Sequence, residues 1–433
     1  MINRLLLLGI LIYAIVVLGM AALNGAVLAL AIPLLVFLGA GLLYGPETPQ
    51  FHITRSLSTD RAEPSAPVSV TLSITNEGNR IDLAHIVDNP PRQLEVVEGH
   101  TELLTALDPG ETVELTYTLR GQRGRYDFDE VKIRVMDFLG LLRRDVSVPV
   151  PGQFEFFVYP EVRRVDRIPI RPRVTKAYAG HIPSRVSGSG VDFFGVRHYQ
   201  QGDSLRHINW RANARHQGTF YSNEFEQERV ADVGIILDAR QRTYVQIGDQ
   251  SLFEHAIAAA ATLADSFLTD GNRVALLRYG DLLDWTVPGY GKFQRERILQ
   301  ALARAQMGDS LIFDRLEHLP TRLFPPKSQI VMVSPLASDD ADLLPRLRAR
   351  GYQVLIISPN PIAFEKALLE RNELTAMAER IATVERELLF RKLRQAGIQV
   401  FDWHVDIPLN QALAASMAQL RPLLDRNIGI VTS

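Results

Sequence analysis

Arginine, histidine and aromatic side chains concentrate in residues 190–229, directly before an apolar stretch that ends in Asp238. Guanidinium groups are planar forks suited to carboxylate or phosphate. Acidic residues lie in the same segment, so its arginines can either pair internally or bind a ligand. Ion-pair networks that fix a segment to its domain are commoner than ligand sites, and we therefore expect internal pairing. The arginines are Arg197, Arg206, Arg211 and Arg215, and the acidic residues are Asp203, Glu224, Glu226 and Glu228.

A short helix is predicted within this segment, over residues 205–214. The pair Gly202-Asp203 is typical of a turn, and Asp203 or Ser204 is expected to cap the helix, because a short oxygen-bearing side chain accepts from its free N–H groups. Ile208 and Trp210 are the apolar residues of this helix. We expect them to anchor the segment in the core.

A wider basic segment, residues 163–216, gives an alternative function. It holds eleven Lys and Arg against three Asp, a charge of +8, whereas the whole chain carries a net charge of −2. Phosphate or nucleic acid binding is the alternative function that this charge favours. The segment lacks the Gly-Lys-Ser/Thr ending of a Walker loop, and no nucleic-acid motif is present. We therefore do not expect a nucleic-acid partner.

The chain of 433 residues is too long for a single ordinary core, which predicts two or three domains. Its near-neutral charge gives no general attraction to nucleic acid or to anionic lipid. It has no cysteine, which excludes disulfides, thiol catalysis and thiolate metal sites.

Two nearly charge-free apolar runs, residues 5–23 and 26–43, are separated only by Asn24-Gly25. Each run reaches a membrane-spanning length, so the first predicted segment, residues 1–46, is a transmembrane helical hairpin in contact with the lipid bilayer through residues 5–43. A cleaved signal peptide would leave the second run without a role. The charges on either side place both ends in the cytoplasm, so we predict a multi-pass protein of the cell membrane with cytoplasmic soluble domains.

Short alternating apolar and polar stretches follow, which predict an all-β sandwich of the immunoglobulin-like kind over residues 47–152. Residues 153–232 form the basic segment and its flanks, expected to pack on the next domain. From residue 233 to 433 strands alternate with helices, which predicts an α/β domain with a mostly parallel sheet. The predicted fold class is thus a membrane-anchored multidomain chain with two transmembrane helices, a β-sandwich and an α/β domain.

A spaced set of residues resembles the signature of the domain-of-unknown-function family 58. The resemblance implies a von Willebrand factor A-like, Rossmann-type fold for residues 233–433. It also implies a MoxR-type AAA+ ATPase as partner, in the assembly or remodelling of protein complexes. The matching positions are Arg197, Tyr199, Gly202, Asp203, Arg206, Ile208, Trp210, Ala214, Arg215, Phe225 and Glu228.

In von Willebrand factor A-like domains the first strand usually ends in Asp-x-Ser-x-Ser, which helps to hold Mg²⁺. Here that run reads Asp238-Ala239-Arg240-Gln241-Arg242, and two arginines stand where hydroxyl ligands would be needed. We expect a degenerate site without metal, and no other cofactor. Arg240 and Arg242 instead become candidates for holding an acidic patch of the partner.

The alternative for these two arginines is pairing within the domain. The carboxylates considered for it are Asp284, Asp339 and Asp340.

Catalytic motifs are missing from the sequence: it has no Gly-x-Ser-x-Gly elbow, no His-Glu-x-x-His and no dinucleotide loop. We therefore expect neither an enzyme nor a small-molecule substrate. The function predicted from these observations and from the resemblance is that of a membrane-anchored protein-binding scaffold or adaptor.

Overall fold

The structure, a computed structural model, divides the chain into two units, Met1–Tyr159 and Pro160–Ser433. For residues 4–5, 41–43, 176–194 and 225–229 it describes the backbone alone. The segment boundaries predicted at residues 46, 152 and 232 remain predictions. The described residues are 4–43, 49–136, 143–150, 155–165, 176–201, 203–215, 220–280, 283–310, 312–370 and 372–415.

Three apolar helices begin the first unit: α1 (Arg4–Ala21), α2 (Gly25–Ala29) and α3 (Ala31–Leu43). Asn24 caps α2 by accepting from a backbone N–H of its first turn. The second apolar run is split at Leu30, which ends α2. Pro33, in the first turn of α3, is the sequence signal for this break, because a proline in a helix interior removes a backbone hydrogen bond.

The predicted transmembrane hairpin is wrong, since no helix among the described residues combines the length and the apolar character that a bilayer crossing requires. The 13 residues of α3 rise about 20 Å, short of the ~30 Å hydrocarbon core. The membrane-anchored fold class and the multi-pass location with cytoplasmic domains are wrong for the same reason, and the predicted bilayer contact of residues 5–43 rested on this hairpin.

The strands of the first unit are short and mostly antiparallel. Two sheets of four strands have the orders β1-β3-β7-β5 and β10-β9-β4-β6, and a third sheet has the order β2-β11-β8. The strands are β1 (Phe51–Leu57), β2 (Arg61–Ala62), β3 (Val68–Asn76), β4 (Ile81–Val87), β5 (Leu94–Gly99), β6 (Glu102–Leu107), β7 (Thr112–Gly121), β8 (Gly124–Asp127), β9 (Val131–Met136), β10 (Arg143–Val148) and β11 (Glu155–Val158).

Alternation along the strands builds the core of this unit. Successive side chains of a strand point to opposite faces, so the apolar residues of β3, from Val68 to Ile74, are buried in turn while the serines and threonines between them are not. Leu72 and Ile74 lie in one cluster with Ile86 of β4 and Ile133 of β9, which belong to the other four-stranded sheet.

A buried ion pair lies in the mostly apolar core of this unit. The guanidinium of Arg55 on β1 lies 2.6 Å from the Asp88 carboxylate, and both side chains are almost fully buried. The Tyr117 hydroxyl donates to the same carboxylate at 2.7 Å. Burial and the nearby Asp88 raise the pKa of Tyr117, so its hydroxyl stays protonated and keeps donating.

The second unit alternates strands and helices after a long two-stranded ribbon. Its strands are β12 (Lys176–His198), β13 (Tyr221–Val230), β14 (Asp232–Asp238), β15 (Gln246–Ile247), β16 (Gln250–Ser251), β17 (Arg273–Tyr279), β18 (Asp284–Gly289), β19 (Gln329–Val333), β20 (Gln353–Pro359) and β21 (Gln399–Trp403). Its helices are α4 (Trp210–Asn213), α5 (Leu252–Thr269), α6 (Gly291–Ala303), α7 (Asp340–Ala349), α8 (Pro361–Leu368) and α9 (Glu373–Gln395).

Six of these strands form a mixed sheet of order β18-β17-β14-β19-β20-β21. Five run parallel, and β18 pairs antiparallel with β17 at one edge. Ile236, Met332 and Ile356 of successive strands share a core with Leu344 of α7 and Phe390 of α9. With the antiparallel sheets of the first unit and the ribbon β12-β13, the described chain is mostly β-sheet.

The chain reverses its direction of travel across this sheet at β14. The next two strands of the sheet in chain order, β17 and β18, lie on one side of β14, and β19, which follows them, lies on the other. In open α/β sheets the carboxyl end of such a strand is the place where ligands bind. Asp238 is the last residue of β14 and Ser334 follows the end of β19, so the polar side chains at this point define the candidate site.

The Asp88→Ala substitution is expected to destabilise the first unit by about 3 to 5 kcal/mol, because it leaves the buried Arg55 charge uncompensated. Asp82→Ala is the matched control, since the Asp82 side chain is exposed and pairs only loosely with Arg80. It should cost less than about 1 kcal/mol. Urea unfolding followed by far-UV circular dichroism measures both, and equal midpoints for the two variants would contradict this account.

Candidate functional site

Arg240 is buried at the carboxyl end of β14, with 1 % of its surface exposed. Its Nε donates to Oδ1 of Asp238 at 2.9 Å, and its Nη2 donates to Oδ2 of the same carboxylate at 2.8 Å. Residues two apart in sequence can meet in this way because the strand ends at Asp238 and the chain turns. The result is a bidentate salt bridge inside the protein.

A second carboxylate completes the site from a distant part of the sequence. Asp340, the first residue of α7, accepts from Nη1 of Arg240 at 3.1 Å and from Nη2 at 2.8 Å. The backbone carbonyl of Asp314 accepts the remaining Nη1 hydrogen at 3.1 Å. A guanidinium has five N–H donors, and here each of the five has an acceptor.

Backbone and hydroxyl groups occupy the remaining positions on the two carboxylates. The Ser334 hydroxyl donates to Oδ2 of Asp238 at 2.5 Å, and the Ala337 N–H donates to Oδ2 of Asp340 at 2.8 Å. The loop that carries these donors includes Leu336 at a φ of 69°. A leucine in the left-handed region is strained, and such strain persists only where the surrounding structure enforces it.

The charges of the cluster do not cancel, since two carboxylates face one guanidinium. Burial alone would lower the pKa of Arg240, but the adjoining Asp238 and Asp340 more than offset this and raise it above its ordinary value. Burial also raises the pKa of Tyr244, with Asp238 adding to the shift. Its buried hydroxyl has no hydrogen-bond partner among the described residues and stays neutral.

These residues do not fit a metal ion. Mg²⁺ needs oxygen ligands in near-octahedral geometry, and the carboxylate oxygens that could supply them are already bound to the guanidinium that lies between them. Arg240 thus supplies the positive charge that faces the two carboxylates. It does so permanently, because an arginine side chain does not exchange with solvent.

Arg242 forms a second, more exposed group of ion pairs at the same edge. Its guanidinium lies 3.0 Å from Asp314 and 3.0 Å from Asp339, and Arg315 approaches Asp339 at 3.3 Å. Burial would raise the pKa of Asp339, but hydrogen bonds from Arg242 and Arg315 more than offset this and lower it. The four side chains Arg242, Asp314, Arg315 and Asp339 are called the rim below.

Both partner-binding candidates therefore pair inside the domain, the alternative that the sequence left open. Asp339 and Asp340 are two of the three carboxylates considered for it. Arg240 has no surface to offer a partner, whereas the Arg242 side chain keeps 33 % exposure. Of the predicted site residues that the structure describes at this edge, only Arg242 has a charge that solvent can reach.

The signature residues form a separate group of contacts near the ribbon β12-β13. Arg197 lies 2.7 Å from Asp203 and 2.7 Å from Glu224, which is the internal pairing expected for this segment. Arg197 lowers the pKa of the Asp203 carboxyl by donating to it. Tyr199 meets the ring of Phe220 edge-on at 6.5 Å. Gly202 and the side chain of Glu228 lie outside the described residues.

The predicted helix over residues 205–214 is shorter than expected. Ser204 accepts from the Arg206 N–H and begins a 3-10 turn, and only Trp210–Asn213 is α-helical. Ile208 is buried, but Trp210 is 68 % exposed, so the expectation that Trp210 anchors the core is wrong. Arg206 and Arg215 are likewise exposed.

Sequence reasoning missed another buried arginine in the second unit. Arg386 in the middle of α9 lies 2.8 Å from Asp402 and also donates to the carbonyl of Pro335 at 2.9 Å. It shares a helix face with Phe390 and Leu393, at positions i, i+4 and i+7. A charge at an apolar-face position is the signal that could have found it.

Residues 195–359 match the family described as "Protein of unknown function DUF58". This confirms the family resemblance over a stretch that contains Asp238, Arg240 and Asp340. The uncharacterized protein YeaD of Bacillus subtilis (strain 168) is 25 % identical over 170 residues, which are 39 % of this chain. The match spans 40 % of the length of that relative.

Comparison with solved structures gives only weak likenesses. The CARDB domain of a Pyrococcus furiosus protein is 15 % identical, and the match covers 26 % of this chain and 96 % of that one with a TM-score of 0.18. For native alpha-2-macroglobulin from Escherichia coli the identity is 19 %, the coverage is 31 % and 22 %, and the TM-score is 0.21. Scores this low support no conclusion about fold or function.

The Arg240→Met substitution is expected to destabilise the second unit by about 3 to 5 kcal/mol, because it leaves two buried carboxylates without their counter-charge. Arg242→Met removes the same charge from the partly exposed rim and should cost about 1 kcal/mol or less. Urea unfolding followed by tryptophan fluorescence compares the two. An Arg240 variant as stable as the Arg242 variant would show that the buried pairs do not hold this edge together.

Mg²⁺ is expected to leave the melting temperature of the chain unchanged, because the guanidinium already binds the carboxylate oxygens. A site filled at 100 times its Kd would instead add about 2.7 kcal/mol. Thermal unfolding in Mg²⁺ and in chelator provides the measurement. A rise in Mg²⁺ that disappears in Asp238→Asn would contradict the expectation.

Proposed function

We propose that this chain is a protein-binding adaptor that recognises its partner at the carboxyl-end edge of the mixed sheet, without a metal ion. The observation that carries the proposal is the buried Arg240 held between Asp238 and Asp340 at the place where the strand order reverses. This position is where open α/β sheets bind their ligands. Here it is filled by a side chain of the protein itself, so recognition falls to the surface around it.

The chemistry of the cluster supports binding over catalysis. A general acid or base must exchange a proton with the substrate, which requires a free position on the titrating group. Every donor of Arg240 is used, and both carboxylates accept from several groups. Such a cluster fixes the loops around it but leaves no group at its centre to react.

The rim supplies the groups that a protein partner would meet. Arg315 and Asp314 are about half exposed, and Arg242 is one-third exposed. Ile312, next to them in sequence, is 67 % exposed. An exposed apolar side chain beside charged groups suits a protein surface, where apolar contact gives affinity and the charges select the partner.

Two finer statements complete the proposal. The signature and the match over residues 195–359 support a von Willebrand factor A-like assignment for the mixed sheet and its helices. The same resemblance supports a MoxR-type AAA+ ATPase as the partner, in the assembly or remodelling of protein complexes. An acidic patch on that ATPase is the complement that the exposed arginines of the rim require.

The Arg242→Glu, Arg315→Glu double variant is expected to bind the MoxR-type ATPase of the same organism roughly tenfold more weakly, since charge reversal replaces attraction by repulsion. Arg322→Glu is the control: Arg322 is also exposed but lies before β19, at the amino end of the sheet. Isothermal titration calorimetry gives the affinities, and melting temperatures show whether each variant is folded.

Equal weakening by the double variant and by Arg322→Glu would place the binding surface elsewhere. A loss of affinity that only matches a loss of folded protein would show that the rim does not bind the partner. Absence of binding by the unaltered chain would reject the ATPase as partner.

A further inference from the structure

Helix α9 presents two different faces. Arg386, Phe390 and Leu393 point into the domain and are buried. The opposite face carries five apolar side chains, each at least 52 % exposed. They are Leu374, Met377, Ile381, Val384 and Leu388, and together they are called the α9 stripe below.

The spacing within the α9 stripe is that of a coiled coil. Its members follow one another at intervals of three, four, three and four residues. This 3-4 repeat occupies the a and d positions of two heptads, with Leu374 and Ile381 at a and Met377 and Val384 at d. A helix needs such a repeat on its exposed side only if a second helix packs there, because solvent-facing positions of a surface helix are normally polar.

Charges beside the stripe fit a second copy of the same helix. In a parallel, in-register pair the g residue of one helix faces the e residue five positions further along the other. Arg380 then faces Glu385 of the second copy, and Glu387 faces Lys392 of the second copy. Both contacts are between opposite charges, and the two-fold axis generates each of them twice.

An antiparallel pair fits less well. Its most favourable register sets Met377 opposite Leu388 and Ile381 opposite Val384, but it places Leu374 opposite Arg391. The parallel pair stacks all five members of the stripe on their own copies. It therefore buries one more apolar layer than the antiparallel register, and its apolar seam ends at Leu388, before Arg391.

We propose that two copies of this chain associate through α9, parallel and in register, along the α9 stripe. The helix is already formed, since Asn372 and Thr375 make a reciprocal capping box and the buried face holds it on the domain. Association therefore does not have to fold the helix first, which lets a seam of only two heptads suffice. The proposal is independent of the function proposed for the rim.

Light scattering of the full-length chain across a range of concentrations is the first test. We expect twice the monomer mass for the unaltered chain at high concentration. Ile381→Glu should weaken self-association at least about tenfold, because it places two carboxylates in the seam, while the melting temperature of the monomer stays unchanged. Phe293→Glu is the control and should leave the dimer intact, since Phe293 is an exposed apolar residue on a different helix, α6.

A charge exchange tests the orientation. Arg380→Glu should weaken the dimer roughly tenfold, because it sets like charges opposite each other. Adding Glu385→Arg to the same chain should restore it, since the two positions face each other only in the parallel pair.

Because the natural chain has no cysteine, Ile381→Cys should also form a disulfide-linked dimer on mild oxidation.

Three results would overturn the proposal. The first is a monomer at every concentration. The second is a dimer that Ile381→Glu leaves unchanged, which would place the contact on another surface. The third is a failure of Glu385→Arg to rescue Arg380→Glu, which would exclude the parallel pair.

Discussion

The buried charge of Arg240 is the constraint on which the carboxyl-end edge of the mixed sheet depends. A guanidinium without water must have every N–H bound and its charge balanced, or the unit loses several kcal/mol. Here the balance comes from Asp238 at the end of β14 and Asp340 at the start of α7. The strained backbone at Leu336 lies in the loop between β19 and α7, where Ser334 and Ala337 donate to these two carboxylates.

A built-in cation changes what this edge can do. A bound metal ion leaves with chelation and can take a carboxylate of the partner as a ligand, whereas a saturated guanidinium does neither. In the proposed adaptor, recognition without an ion would rest on side chains that are only partly neutralised, which at this edge are Arg242 and Arg315. Such exposed pairs are weak and depend on salt, so they suit a partner that must also be released.

The sequence predicted interactions between neighbouring residues, but it could not predict contacts between residues that lie far apart in the chain. Arg240 and Arg242 stand within two and four residues of Asp238, and Ser204 stands directly before the turn that it caps, so both features can be read from neighbouring residues. The identity of Asp340 as the second partner could only be considered, because it lies 100 residues away and depends on where α7 begins. Trp210 was placed in the core because large aromatic residues are usually buried, but a four-residue helix has too little face to bury it. The runs 5–23 and 26–43 are apolar in composition, and Pro33, which favours a new helix start after Leu30, was the signal that hydropathy passes over.

A helix with one buried face and one exposed apolar face can link the core of a unit to a second molecule. Arg386 fixes the orientation of α9, since its guanidinium binds Asp402 and the carbonyl of Pro335 from adjacent parts of the sheet edge. Because the buried face is held in place, the α9 stripe faces away from the domain. Two chains joined there would present two rims to one assembly, and linked sites bind a multivalent partner far more tightly than either site alone. Weak individual contacts at the rim would then be sufficient, because avidity and not the single ion pair would set the strength of binding.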